Sequence, residues 1–349
     1  DCKIPKEIIN VSSFSKWACE NHFDSIVDIN QYIKSGKDIN EIDKKVQEFD
    51  DIKLKNIINA LVNDFPNHRM IAVSGCSSAG KSTFANLLKN QIQSCFNNEY
   101  ECQIIPMDTY FMNRDERPLD ENGNIDYESM RIIHIDLLAS RINDLLDGKS
   151  IPDRQYDYVD GVGGDIPGSK KTLKNKGFVI IEGLHALNSE FLKKVTSTNI
   201  LKIYISPIAP LSIDYEHSID PHDILLLRRI LRDFNQRGTS PRDNIEIWPS
   251  VETGAAKYLL PLINSADIFF TNQIVYEMNA VQSAVIPLMK RYKDPVEKNP
   301  QIANEVSDEL RRLITLLSLF EPLSIDKIPD RLPTKKLLLN TLETLNKTD

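Results

Sequence analysis

Within residues 69–88, RMIAVSGCSSAGKSTFANLL, four residues have the types and spacing needed to hold a phosphate chain. Gly75, Gly80, Lys81 and Ser82 satisfy G-x-x-x-x-G-K-[ST]. Glycine at both ends lets backbone N–H groups turn inward and approach an anion closely. Cys76, Ser77, Ser78 and Ala79 fill the loop, and Thr83 follows the Lys81–Ser82 pair. Lys81 is expected on the β- and γ-phosphates and Ser82 on Mg2+, with the next helix presenting its positive end to the same charge. The pattern predicts triphosphate binding. It leaves open whether the energy drives motion, switching or chemistry on a second molecule.

Three further groups bear on that choice. Glu182 ends the apolar run FVIIE, where it is either a solvated carboxylate or an acidic partner for Mg2+ beside the loop. Asp108, in PMDTYF, is placed either to cap a turn or to take a proton from an attacking hydroxyl. Tyr110 and Phe111 beside it read as core or as cleft wall. In LLRRILRDFNQRG, Arg229 and Arg232 share a helix face, and Arg237 precedes Gly238. Arginines so arranged suit a helix that closes over ATP and stabilises charge on the transferred phosphoryl group. N-K-x-D occurs only as the terminal NKTD, outside the strand and helix patterns of the core, which argues against a guanine-specific switch.

The elements that must position these residues follow from the hydrophobic pattern. MIAVSG is a short strand entering the loop, and STFANLLKNQIQSCF continues as a helix, the strand–loop–helix order that the motif requires. Further strands are expected at 101–108, 177–183 and 200–206, with helices at HIDLLASRINDLLDG and DILLLRRILRDFNQRG. Strands alternating with helices predict an α/β fold, a doubly wound and mostly parallel sheet of P-loop kinase type. Ligands of such sheets bind at the carboxyl ends of the strands, where the loop, Asp108 and Glu182 all fall. Amphipathic spacing over residues 1–66 predicts a helical N-terminal segment, followed by a core over 67–290. Residues 291–349 read as a helical C-terminal appendage.

Composition narrows the function classes. The chain has 349 residues, 41% hydrophobic and 26% charged, with a formal net charge of -8. That charge argues against non-specific nucleic-acid binding, and no apolar run approaches the roughly 18 residues that span a membrane. Five scattered cysteines without a C-x-x-C pair suggest neither a disulfide framework nor a zinc site, and reduced thiols fit a cytoplasmic protein. Cys76 reads as a small loop residue. The N-terminus lacks a signal-peptide pattern and an initiator methionine, which fits a fragment or a trimmed chain.

The order GCSSAGKSTFA, MDTYF, DGKSIPDRQYDY, FVIIEGLHALN, LKIYIS, LLRRILRDFNQRG and ADIFFTN resembles the uridine kinase and phosphoribulokinase family of P-loop kinases, over about residues 68–275. DENGNIDYES, the stretch from IEIWPSVETGAAKYLL to the late strand, and IPDRLPTKKLL resemble the branch with a threonyl-tRNA-synthetase-like N-terminal extension. This N-terminus would match only the end of that extension.

The resemblance implies an ATP- and Mg2+-dependent nucleoside kinase acting on a 5′-hydroxyl, with uridine or cytidine favoured. It places Asp108 as the base, Tyr156 against the nucleobase, and Arg229, Arg232 and Arg237 on the lid. Where relatives carry P-D-A-F to hold the ribose, DYESM offers Glu128 or Ser129. Tyr110, His185 and Arg232 join Asp108, Glu128 and Tyr156 as candidate substrate contacts. Leu225 and Thr239 stand where the family has arginine, so a nucleotide-binding regulatory module is an alternative, as is a kinase of another hydroxylated metabolite. The implied partner is a small nucleoside, with no nucleic acid or membrane and with room for a homo-oligomer.

Overall fold

The computed structural model describes residues 6–347 except 64–67, 98, 120–122, 124, 175, 197–198, 207–210, 214–215, 272–273 and 293–299. The chain opens with α1 (Lys6–Glu20), α2 (Ile26–Lys34) and α3 (Ile39–Asn63), then β1 (His68–Gly75) and α4 (Lys81–Cys95). Next come β2 (Glu101–Pro106), α5 (Ile135–Leu146), β3 (Ile151–Asp157), β4 (Val162–Lys171), β5 (Gly177–Glu182), α6 (Ser189–Leu192) and β6 (Asn199–Ser206). The remainder is α7 (Pro221–Gln236), α8 (Pro241–Gly254), α9 (Leu260–Ile263), β7 (Ile268–Thr271), α10 (Glu277–Arg291), α11 (Pro300–Leu317) and α12 (Lys335–Lys347).

These elements form two compact units. One comprises Asp50–Ser206 and Val251–Phe270; the other comprises Asp1–Phe49, Pro207–Ser250 and Thr271–Asp349. The units interleave along the sequence, so both ends of the chain belong to the same one.

The first unit is built on a sheet of order β2-β5-β1-β6-β7, with β2–β5, β5–β1 and β1–β6 all parallel. Every residue of β5, GFVIIE, is buried, as a central strand covered on both faces demands. Met70, Ile71, Ala72 and Val73 of β1 are equally enclosed, and α4 packs over β1, β2 and β5. This is the expected doubly wound, mostly parallel α/β architecture. The antiparallel β3–β4 hairpin stands as a separate two-stranded sheet, with a register shift between Pro152 and Arg154.

The second unit is helical. Phe14, Ile29, Ile42, Leu227, Val285 and Leu313 belong to one buried core, to which α1, α2, α3, α7, α10, α11 and α12 all contribute. Each such side chain contributes about 1.5–3 kcal/mol by leaving water. Asp220 caps α7 through the His222 amide, and Pro221 occupies its first turn, where a missing N–H costs nothing. No helix among the described residues is long and apolar enough to cross a membrane.

Candidate active site

The register of the sheet brings the reactive groups to one edge. Glu182 pairs with Val73 on one side and with Pro106 on the other. Gly75 and Asp108 each lie two residues past that row, so β1, β2 and β5 deliver the loop and two carboxylates together. Asp108 is carried by a single 3-10 turn, Met107–Tyr110, that follows β2 rather than by the strand itself.

The loop between β1 and α4 has the backbone that its glycines foretell. A Cβ on Gly75 would fall 2.3 Å from the Ile205 carbonyl oxygen, so no other residue fits against the end of β6. Ser78 (φ 64°) and Gly80 (φ 93°) adopt the left-handed conformation and turn the chain into α4. The Lys81 ammonium donates to the carbonyls of Gly75 and Cys76, both at 3.0 Å, folding back over its own loop. The Cys76 sulfur lies 3.6 Å from the Tyr204 hydroxyl, and burial pushes its thiol pKa up.

Ser82 donates its hydroxyl to Glu182 Oε1 at 2.8 Å. Burial, and secondarily the charge of Asp108, push the Glu182 carboxyl up from 4.5 to about 6. A buried carboxylate that is costly to ionise, beside a serine hydroxyl, fits a hard cation that takes oxygen ligands. Among the described residues no three His, Cys, Asp or Glu side chains gather into a metal site.

The hairpin supplies the wall beside Asp108. Tyr158 donates its hydroxyl to Asp108 Oδ2 at 3.3 Å. Tyr156 lies edge-on to Tyr158 and Phe111, with centroids 5.2 Å and 5.6 Å away. The Arg117 guanidinium bonds the Tyr156 hydroxyl and lies 5.4–5.6 Å from the ring centres of Phe111, Tyr127 and Tyr156. Arg154 ties the hairpin to the Asp108 turn by donating to the Thr109 carbonyl at 2.8 Å.

Other expected residues fall as follows. Tyr110 is only 2% exposed, with the Arg141 and Arg154 guanidinium groups 5.6 Å from its ring centre. Glu128 and Ser129 are both buried, and His185 donates to the Glu128 carbonyl. Arg229, Arg232 and Arg237 belong to the helical unit, where all three converge on the buried Asp233 carboxylate at 3.4, 2.7 and 3.4 Å. Sequence reasoning missed Arg117, Tyr158, Asp126 and Tyr258. For Tyr158 a signal existed, since QYDY sets it two residues from Tyr156 and so on the same side of an extended chain.

A phosphate loop at the carboxyl edge of a parallel sheet, with acidic groups at the neighbouring strand ends, defines a P-loop kinase. The chain belongs to the phosphoribulokinase / uridine kinase family, whose sequence profile matches residues 70–278. It is 25% identical over 230 residues to a uridine kinase of Ligilactobacillus salivarius, covering 66% of this chain and 94% of that protein. To a uridine kinase of Staphylococcus aureus it is 26% identical over 182 residues, covering 52% and 76%. A solved structure titled a possible uridine kinase from Bacillus stearothermophilus covers 64% of this chain and 99% of its own, at 15% identity and a TM-score of 0.41. The family makes the protein an ATP-dependent phosphotransferase acting on a hydroxyl group.

Proposed function

We propose that the protein transfers the γ-phosphoryl group of ATP to the 5′-hydroxyl of a ribonucleoside, with uridine or cytidine preferred. The observation that carries this reading is Asp108. It stands beside Glu182 past the strand ends, and its carboxylate accepts a single hydrogen bond among the described residues, from the hairpin's Tyr158, which leaves lone pairs for an incoming hydroxyl. The loop amides and Lys81 hold the phosphates, and Lys81 must exchange its two carbonyl partners for phosphate oxygens.

Ser82 and Glu182 are the residues that would hold Mg2+. When bound, the ion neutralises charge on the phosphate chain and orients it. Asp108 accepts the proton of the 5′-hydroxyl as that oxygen attacks, with Tyr158 fixing the carboxylate in place. Tyr156, backed by Arg117, offers an aromatic face to the base. Glu128 is the carboxylate assigned to the ribose.

A coupled assay for ADP across uridine, cytidine, adenosine, guanosine and non-nucleoside alcohols tests the reading. ADP formation that requires uridine or cytidine, with the 5′-monophosphate as product, is the expected result. ATP binding without nucleoside-dependent ADP formation would sink it.

A further inference from the structure

His185 lies three residues beyond Glu182, in the turn between β5 and α6, and is only 1% exposed. Its Nε2 is 2.8 Å from the Glu128 carbonyl oxygen, so that nitrogen carries a proton and donates it. The Glu128 amide donates to Asp126 Oδ1 at 3.1 Å, and the Tyr258 hydroxyl donates to Asp126 Oδ2 at 2.7 Å. The Tyr258 ring in turn stands edge-on to the His185 ring, with centroids 6.2 Å apart. The four residues close a circuit. Gly254, one turn before Tyr258, seals it from the side, since a Cβ there would fall 2.5 Å from Glu128 Cβ.

The circuit borders the reacting groups. The charge of Glu128 is felt at the Cys76 thiol in the phosphate loop, and that of Asp108 at His185. The His185 Nδ1 is buried without a hydrogen-bond partner, so a second proton there would find no acceptor. The ring is therefore a fixed neutral donor, and burial holds its pKa below the ordinary histidine value.

We propose that His185 is a positioning residue that pins the 126–130 loop to the turn that follows Glu182, so that the acceptor side and the metal side of the site keep one geometry. It acts through the Glu128 carbonyl and touches neither substrate. Asp126 and Tyr258 complete the clamp from the opposite side. The inference rests on the nucleoside kinase reading for its kinetic consequence, and on hydrogen bonding alone for its structural one.

Two measurements test it. With uridine and ATP as substrates, His185→Leu is expected to raise the KM for uridine about tenfold, with the KM for ATP within about twofold of wild type. His185→Gln, whose amide can donate to the same carbonyl, should recover most of that loss, and Tyr258→Phe should show a smaller rise of the same kind. Equal effects on both KM values, or no rescue by glutamine, would overturn the assignment. Amide hydrogen exchange needs no substrate: the Glu128 amide should exchange about tenfold faster in His185→Leu, with the β1 and β5 amides unchanged. Unchanged exchange at Glu128 would overturn the clamp whatever the acceptor is. A wild-type protein that ignores every nucleoside, with the faster Glu128 exchange still seen in His185→Leu, would refute the substrate reading alone.

Discussion

The two units treat buried charge in opposite ways. In the helical unit, Glu277 receives Arg228 through two bonds at 2.8 and 2.6 Å, and Asp43 receives both Arg331 at 3.1 Å and the Tyr276 hydroxyl at 2.6 Å. Asp223 and Asp233 are likewise matched with arginines. At the sheet edge, neither Asp108 nor Glu182 has a basic partner within ion-pair distance among the described residues; each has a hydroxyl instead. Lys81 spends its ammonium on two carbonyls. Charges already neutralised hold a fold together, whereas charges left with neutral partners are kept for something that arrives from outside. The contrast separates scaffold from site without reference to sequence likeness.

Substitutions test the contrast, beginning with the largest expected effect. Asp108→Asn keeps the shape and removes the proton acceptor, so turnover should fall about 1,000-fold while ATP affinity changes less than about twofold. Coupled turnover with isothermal titration of ATP reads both, and wild-type turnover would show that Asp108 is scaffold. Lys81→Ala should lower kcat/KM for ATP about 100-fold and weaken ATP binding as well, because its charge serves the donor from binding through transfer.

Stability should respond with opposite signs in the two units. Glu277→Gln removes the carboxylate from Arg228 and should cost about 3 kcal/mol, seen as a lower Tm of the ligand-free protein. Glu182→Gln should do the reverse. Because folding raises that carboxyl from 4.5 to about 6, the ionised side chain burdens the native state at pH 7, by about 2 kcal/mol. The burden is absent below pH 4.5 and complete above about pH 6, so the Tm gain of Glu182→Gln over wild type should appear as pH rises through that window. The same variant should lose Mg2+-dependent turnover. A Tm that falls at pH 7 would mean that Glu182 is a structural charge like Glu277.

Much of this was legible in the sequence because its signals are local. The apolar runs at 177–183 and 200–206 fold as β5 and β6, and the glycine spacing before Lys81 dictates the loop. Asp108 is visible as an acidic residue after an apolar run, though that run reads as strand to 108, whereas the strand stops at Pro106 and a 3-10 turn carries the aspartate. The β3–β4 pairing hides behind a register shift in a polar segment. The link between Asp126 and Tyr258 crosses 132 residues of sequence, and no spacing rule spans that distance. The same holds for Arg228, which reads as one more arginine on a basic helix until Glu277 is seen beside it.

The shared core of the helical unit also fixes an order of events during synthesis. Phe14 and Leu345 belong to one apolar cluster, so α1 cannot find its full set of neighbours until α12 has been translated. The β2-β5-β1-β6 strands, by contrast, are all present once residue 206 has emerged. Folding on the ribosome should therefore begin with the nucleotide-binding sheet, while residues 6–49 wait for α10, α11 and α12.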